Sequence, residues 1–527
     1  MKKNTGNGAT GRYWLVYGLY AAVLVFILAV VYFLGGMRYA CKREYLSNGL
    51  LLAGGLALTC ALAWLASRVR LEALRGRKHW RLLAVAFFGG MFLIQVAAVV
   101  SYFFVTRDWD ASIIFDACER MAHGLEPDNG GLYFSQNPNN LFFAWLFIRV
   151  IRLTDLLLGQ AVRGAEYLAM IVVQCAISQA TGFMLYVLAK KLAKREGPAL
   201  LAYLLYVLLA GLSPWVAIPY TDSVALFIPT LILLVYVCWP RGRHAAVKWL
   251  LIGALTMLAY RLKPQGMIVT IAIVLCELLR ALRRGFIRRW WRKIVRAGAG
   301  LTAGLVLCLL LTGWAADSLP LTLDPGRAFG LRHFLLLGLN EDSMGVWNSG
   351  DVQFSDSFED QATRRAATDR VLRIRIERMG VKGLALQGLR KTLTNYNDGT
   401  FFWGGEGNFF GEVPEPRVPV LSQITRSLYY PEGSLYGLWS NFEQAVWLAV
   451  LTLGLLSCLL KPDRRIAVVM LSVVGLTLFD MIFEARARYL YTYLPYYILL
   501  ASLGLWSAGE RACARFKADL GRKIHAD

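Results

Sequence analysis

The chain has 527 residues, of which 57% are hydrophobic and only 17% charged, and its 57 Lys and Arg outnumber 35 Asp and Glu for a formal net charge of +22. A mean hydropathy of +0.47, with apolar runs of about 18 or more residues recurring along the chain, excludes a soluble globular domain and marks a polytopic membrane protein. The positive charge does not imply nucleic-acid binding, because it falls in short clusters between apolar runs and no soluble basic domain exists to carry such a function.

In chain order the apolar runs predict twelve spans, at about 14–34, 48–66, 82–104, 166–190, 199–214, 223–239, 246–261, 265–282, 297–315, 438–459, 466–483 and 489–507. The fold class is therefore an all-α polytopic membrane protein. Clusters such as SRVRLEALRGRKHWR, AKKLAKREG and RALRRGFIRRWWRKIVR follow the positive-inside pattern, which puts both termini in the cytoplasm. The basic stretch MRYACKREY, residues 37–45, is the exception and falls outside. Residues 139–159 are apolar enough to raise the question of another crossing. There Arg149, Arg152 and Asp155 recur at three-residue spacing, giving one polar stripe, as expected of a helix lying in the interface.

Five regions follow: 1–104 with three spans, an outer acidic loop with an interfacial helix at 105–165, a membrane core at 166–315, an extracellular subdomain at 316–437, and three spans with a basic tail at 438–527. The long outer segment is rich in Trp, Phe, Leu and Tyr, which argues for a folded unit over disorder. Six of the nine cysteines lie in or beside apolar runs, and no CxxC or His/Cys ligand spacing occurs. Cys41 and Cys118 fall on the outer side with nothing to pair them.

Residues able to carry chemistry collect at the outer ends of the spans. Asp108, Asp110, Asp116 and Glu119 follow the third span within about three helical turns, and Tyr133, Asn139 and Asn140 follow in YFSQNPNN. Tyr220 and Asp222 sit in PWVAIPYTDSVALF, where a helix-cap role and a sugar-contact role are compatible. Arg261 and Lys263 lie between two apolar runs of about 16 residues, each roughly 24 Å of helix against a core of about 30 Å. Cations at that depth call for an anion, and a lipid phosphate is the available one; the bland alternative is snorkelling. In FEARARYLYTYLPYY, Glu484, Arg486, Arg488 and Tyr489 join two apolar runs with almost no loop. The long segment adds Asp342, Asp351, Asp398 and Glu406. Its lone His333 reads as structural, and Trp347, Phe402 and Trp403 read as core.

The order RDWD, AHG, Tyr133, QNPNN, then an interfacial helix, resembles the first external loop of the type C (GT-C) membrane glycosyltransferases, which include protein O-mannosyltransferases and the lipid A aminoarabinose transferase. More narrowly, WDASIIFDA followed by YFSQNPNN is similar to a group of Gram-positive integral membrane proteins with a Trp-Asp, then Tyr-Pro-Asn-Asn pattern; Asn137 stands where that group has tyrosine. The resemblance implies a catalytic base at Asp108 or Asp110, and the Trp-Asp placement favours Asp110. It also implies that an Arg near the last outer loops, here Arg486 or Arg488, contacts the donor's lipid phosphate. The expected activity is inverting transfer of a sugar from a polyprenyl-phosphate carrier to a glycan, lipid or protein acceptor outside the bacterial cytoplasmic membrane, with Arg261 and Lys263 also at the phosphate. The superfamily includes metal-dependent members, and use of a divalent cation is left open, since no ligand set is legible. The alternatives are a polymerase or ligase of lipid-linked glycans and a lipid or sugar flippase. A flippase predicts inverted repeats and small outer loops, neither of which is seen.

Overall fold

The computed structural model describes residues 11–69, 80–102, 109–128, 130–159, 165–240, 244–282, 286–406 and 419–524. Their regular structure is all helical, with no strand among the described residues. The first half contains α1 (Trp14–Phe33), α2 (Asn48–Arg68), α3 (Trp80–Tyr102), α4 (Trp109–Ala122), α5 (Gly130–Gln136), α6 (Leu141–Leu158), α7 (Ala165–Ala193), α8 (Glu196–Tyr206), α9 (Thr221–Ala225), α10 (Phe227–Cys238) and α11 (Ala245–Leu262). Then come α12 (Ile268–Ala281), α13 (Phe286–Asp317), α14 (Leu331–Gly338), α15 (Ser349–Asp356), α16 (Gln361–Tyr396), α17 (Pro419–Tyr429), α18 (Tyr436–Leu455), α19 (Arg464–Ile482), α20 (Ala487–Tyr491) and α21 (Leu494–Ile524).

Among the described residues nine helical segments are long and apolar enough to cross a membrane: Trp14–Phe33, Asn48–Arg68, Ala165–Ala193, Thr221–Cys238, Ala245–Leu262, Pro264–Ala281, Trp291–Asp317, Tyr436–Leu459 and Arg464–Ile482. The other three expected spans coincide with α3, with the shorter apolar helix Glu196–Gly211, and with α20 and the start of α21. The Glu196–Gly211 helix loses its α geometry at Val207, where it becomes a π-helix, and Pro214 opens a 3-10 turn just beyond. Helix α6 is not among the nine; it carries Arg149, Arg152 and Asp155 and packs between α4 and α7.

Helix ends follow the local chemistry. Ser47 caps α2 by accepting from the Leu50 amide, and Asp463 caps α19 by accepting from the Arg465 amide. Lys263 ends α11 in an extended conformation, φ −158° and ψ 119°, because the following Pro264 disfavours the helical region for the residue before it. Helices α11 and α13 meet backbone to backbone: a Cβ on Gly253 would lie 2.1 Å from Leu301 O, and one on Gly304 would lie 2.0 Å from Leu250 O. Small residues that permit such approach are a common solution where helices pack without a hydrophobic driving force.

The segment between α13 and α18 is largely helical. Helix α16 is broken at Gly380 (φ 54°), and beyond the break residues 391–400 are buried without interruption. Tyr396 OH hydrogen-bonds Thr477 Oγ1 of α19 at 2.6 Å and Tyr497 OH of α21 at 2.9 Å. Trp403 is fully buried. The basic 37–45 stretch has a partner here: Arg43 Nε lies 3.9 Å from Asp398 Oδ2, its guanidinium covers the rings of Phe402, Trp403 and Tyr436, and Tyr45 OH donates to Asp398 Oδ1 at 2.6 Å.

Candidate functional site

Four chain segments distant in sequence deliver charged side chains to one place. The first is the start of α4. Trp109 has φ +62°, a conformation unfavourable for a bulky residue unless its surroundings hold it. Its ring packs on Tyr220 with centroids 4.9 Å apart and lies under the Arg488 guanidinium, 4.5 Å from centroid to Cζ. Asp110, the next residue, accepts a hydrogen bond from Tyr220 OH at 3.1 Å on Oδ2. Tyr133 also bonds to Asp110, and Asn140 Nδ2 donates to Tyr133 OH at 2.8 Å. Asn139 Nδ2 in turn donates to Asn140 Oδ1 at 3.1 Å. The QNPNN turn is thereby linked to the acid through one tyrosine.

The second segment is the start of α9, where Asp222 is 1% exposed. It touches two cations: Lys263 Nζ contacts Oδ1, and Arg488 Nη1 donates to Oδ2 at 3.1 Å. The third is the turn 398–406, where Phe401 and Phe402 both have positive φ, 52° and 60°. It is held by Trp215 Nε1 donating to Phe401 O at 3.1 Å, and it presents Glu406. The fourth is 484–489. Arg488 Nε lies 3.1 Å and Arg486 Nη1 3.3 Å from Glu406 Oε1. Arg486 Nε lies 3.4 Å from Glu484 Oε1, Tyr489 OH donates to Glu484 Oε2 at 2.9 Å, and the Lys263 ammonium sits 4.5 Å from the Tyr489 ring centroid.

Burial raises the Asp110 carboxyl above the usual carboxylate range, the charge of Glu484 adds to this, and Arg488 and the two tyrosine hydroxyls pull it part of the way back. Burial likewise raises the Tyr220 and Tyr133 hydroxyls, so both are donors to Asp110 at neutral pH. A carboxylate in a poorly solvated site with two donors on it is equipped to take a proton from a ligand hydroxyl.

Of the residues expected at a site, Asp110, Tyr133, Asn139, Asn140, Tyr220, Asp222, Lys263, Glu406, Glu484, Arg486, Arg488 and Tyr489 are joined by these contacts. Asp108 lies outside the described residues. Asp116 is on the exposed side of α4, bonded by Ser112 Oγ at 3.1 Å, whereas the buried side of that helix is Ala111, Ile114, Phe115, Ala117, Cys118 and Met121. Glu119 is likewise outside the buried set. Arg261 is not tied to the cluster among the described residues: its charge acts on Cys308 of α13, and its buried Nε has no hydrogen-bond partner. Arg261 lies two residues before Lys263, so its side chain leaves α11 in another direction.

Three participants were not anticipated. Trp109 entered as half of a motif, not as the platform for Arg488. Asp480 in α19 is fully buried with neither oxygen hydrogen-bonded. Lys391, whose Nζ donates to Met481 O at 2.7 Å, lies in the same region. A lone acid inside the apolar run SVVGLTLFDMIF is a signal that the sequence does contain. His333 is buried, shares a 2.7 Å hydrogen bond with Ser355 Oγ and stacks on Phe329 at 4.2 Å. All nine cysteines are free; Cys118 is buried, while Cys41 Sγ lies 3.6 Å from Arg486 Nη1.

A family model described as conserved hypothetical integral membrane protein matches residues 17–508. The chain belongs to that family. Its membrane nature is thus supported twice, by the match and by the apolar helices, while the family description names no reaction. No curated protein and no solved structure matches the chain.

Proposed function

We propose that this membrane protein is a GT-C type glycosyltransferase that moves a sugar from a polyprenyl-phosphate carrier to an acceptor outside the cytoplasmic membrane, with both termini in the cytoplasm. The observation that carries the reading is the convergence of Asp110, bonded by Tyr220, with Lys263, Arg486 and Arg488 around shared carboxylates. In the reaction, Asp110 takes the proton of the acceptor hydroxyl as its oxygen attacks the anomeric carbon. The bond from that carbon to the phosphate oxygen breaks, its electron pair stays on the lipid phosphate, and the anomeric configuration inverts. Each guanidinium uses Nε and Nη1 on protein carboxylates. With five N–H donors apiece, both keep Nη2 for the charge that builds on the leaving phosphate.

The test is transfer by purified protein reconstituted with a panel of polyprenyl-phosphate monosaccharides. Asp110→Asn keeps the shape and removes the base, so turnover falls about 10²- to 10⁴-fold while donor binding is retained. No turnover of any donor by the unaltered protein, or equal turnover by the variant, rejects the reading.

A further inference from the structure

At the other end of α4 from Asp110, three helices bring together side chains of a different kind. His123 follows α4, Asp155 stands in the last turn of α6, and Glu166 stands in the first turn of α7. His123 Nε2 lies 3.1 Å from Asp155 Oδ2, and one ligand atom from each of the three lies within 4.8 Å of the others. Glu166 is 8% exposed, and no described residue hydrogen-bonds or ion-pairs with its carboxylate. Asp155 Oδ1 is also buried without a hydrogen-bond partner. Arg152, one turn before Asp155, is engaged elsewhere, donating to Ala122 O at 3.3 Å and Met121 O at 3.4 Å.

Glu166 is buried and Asp155 half-buried, and two carboxylates this close repel one another unless a cation lies between them. We propose that His123, Asp155 and Glu166 form a divalent transition-metal site, with zinc the best fit, that clamps α4 and α6 to α7. One imidazole nitrogen and two carboxylate oxygens, with a fourth place for water, suit zinc, whereas Mg²⁺ and Ca²⁺ prefer all-oxygen shells. Ligand atoms about 2.0–2.2 Å from a tetrahedral ion stand roughly 3.4 Å apart. The His123–Asp155 separation already meets this, and Glu166, with three side-chain torsions, has at most about 1.4 Å to close. Asp110 is thirteen residues back along α4, roughly 20 Å at 1.5 Å per residue. The ion therefore does not touch the reacting atoms of the proposed transfer, and the site stands whether or not that reading holds. Its role is to fix the far end of the helix that carries Asp110.

The test uses full-length protein without a polyhistidine tag, purified in detergent, stripped with chelator, loaded with zinc and desalted. The unaltered protein retains about one equivalent, and its thermal midpoint rises on adding zinc. Glu166→Gln, and His123→Ala at an exposed position, retain less than a tenth of that and show no rise. Zinc content in the unaltered protein no higher than in the variants overturns the site, as does a full equivalent kept by both variants. Binding of Mg²⁺ or Ca²⁺ in place of zinc overturns the metal assignment.

Discussion

Glu406 is the residue on which the cation cluster turns, and Glu406→Gln probes it with little change of shape. The carboxylate is 4% exposed, and its Oε1 lies 3.1 Å from Arg488 Nε and 3.3 Å from Arg486 Nη1. At an effective dielectric of 20, each attraction amounts to about 5 kcal/mol, so the gross loss is about 10. Most of this is offset because the variant no longer desolvates a carboxylate, a penalty of several kcal/mol. Each arginine also keeps one other carboxylate, Arg488 with Asp222 and Arg486 with Glu484. Removing one member of a buried pair costs about 3–5 kcal/mol, and the retained partners put this case at about 3, or two decades in the unfolding equilibrium. The assay is denaturant-induced unfolding in detergent micelles followed by tryptophan fluorescence, with Arg488→Gln and the double variant completing a cycle. Destabilisation below about 1 kcal/mol together with no coupling in the cycle would refute the argument that Glu406 holds the two arginines.

A second prediction concerns pH. Asp110 holds its proton more tightly in the folded chain than in the unfolded one. Its contribution to stability is therefore lost as pH rises from the unfolded value through the folded one, and Asp110→Asn flattens that slope in pH-dependent unfolding. If Asp110 is the base, the acid limb of kcat/KM lies above the ordinary carboxylate range, and Tyr220→Phe, which removes a donor to the ionised form, moves it to higher pH. A limb that stays put separates the tyrosine from the base. A third concerns packing: Gly253→Ala puts a Cβ 2.1 Å from the Leu301 carbonyl and costs about 1–3 kcal/mol by forcing α11 from α13. Gly313→Ala, on α13 with nothing within 4 Å, does not lower the thermal midpoint and raises it slightly through helix propensity.

The membrane helices were legible because apolar length needs no knowledge of neighbours. The fifth expected span is irregular where α8 passes into a π-helix at Val207, and the twelfth is divided between the short α20 and the start of α21. Much of the cluster was legible for a related reason. Charges at the ends of apolar runs have few places to go, and prolines such as Pro264 turn the chain where Lys263 must leave its helix. What the sequence did not reveal is the pairing. Asp222 and Arg488 are 266 positions apart, and Glu406 reaches Arg486 across 80. The acids were expected to meet substrate, and in the fold they hold the cations. The 123/155/166 group was invisible for the same reason: one ligand per helix leaves no local spacing to recognise.

The balance of charge in the cluster bears on how the proposed reaction would turn over. Among the groups in direct ion-pair contact, Lys263, Arg486 and Arg488 meet Asp222, Glu406 and Glu484, three against three, with Asp110 beside them. Three unopposed cations would hold a lipid phosphate tightly, slow its release after the sugar has left, and draw Asp110 down towards the ordinary carboxylate range, making it a weaker base. Paired cations avoid both effects: they offer oriented N–H donors to a phosphate, while most of their charge is already answered. Glu484 acts in the same direction, since its charge raises Asp110. The stability predicted to fall in Glu406→Gln should therefore come with tighter retention of polyprenyl phosphate, because that variant leaves two arginines one anion short. Measured by equilibrium binding of polyprenyl phosphate, unchanged or weaker affinity in Glu406→Gln would show that the arginines do not serve an anion there.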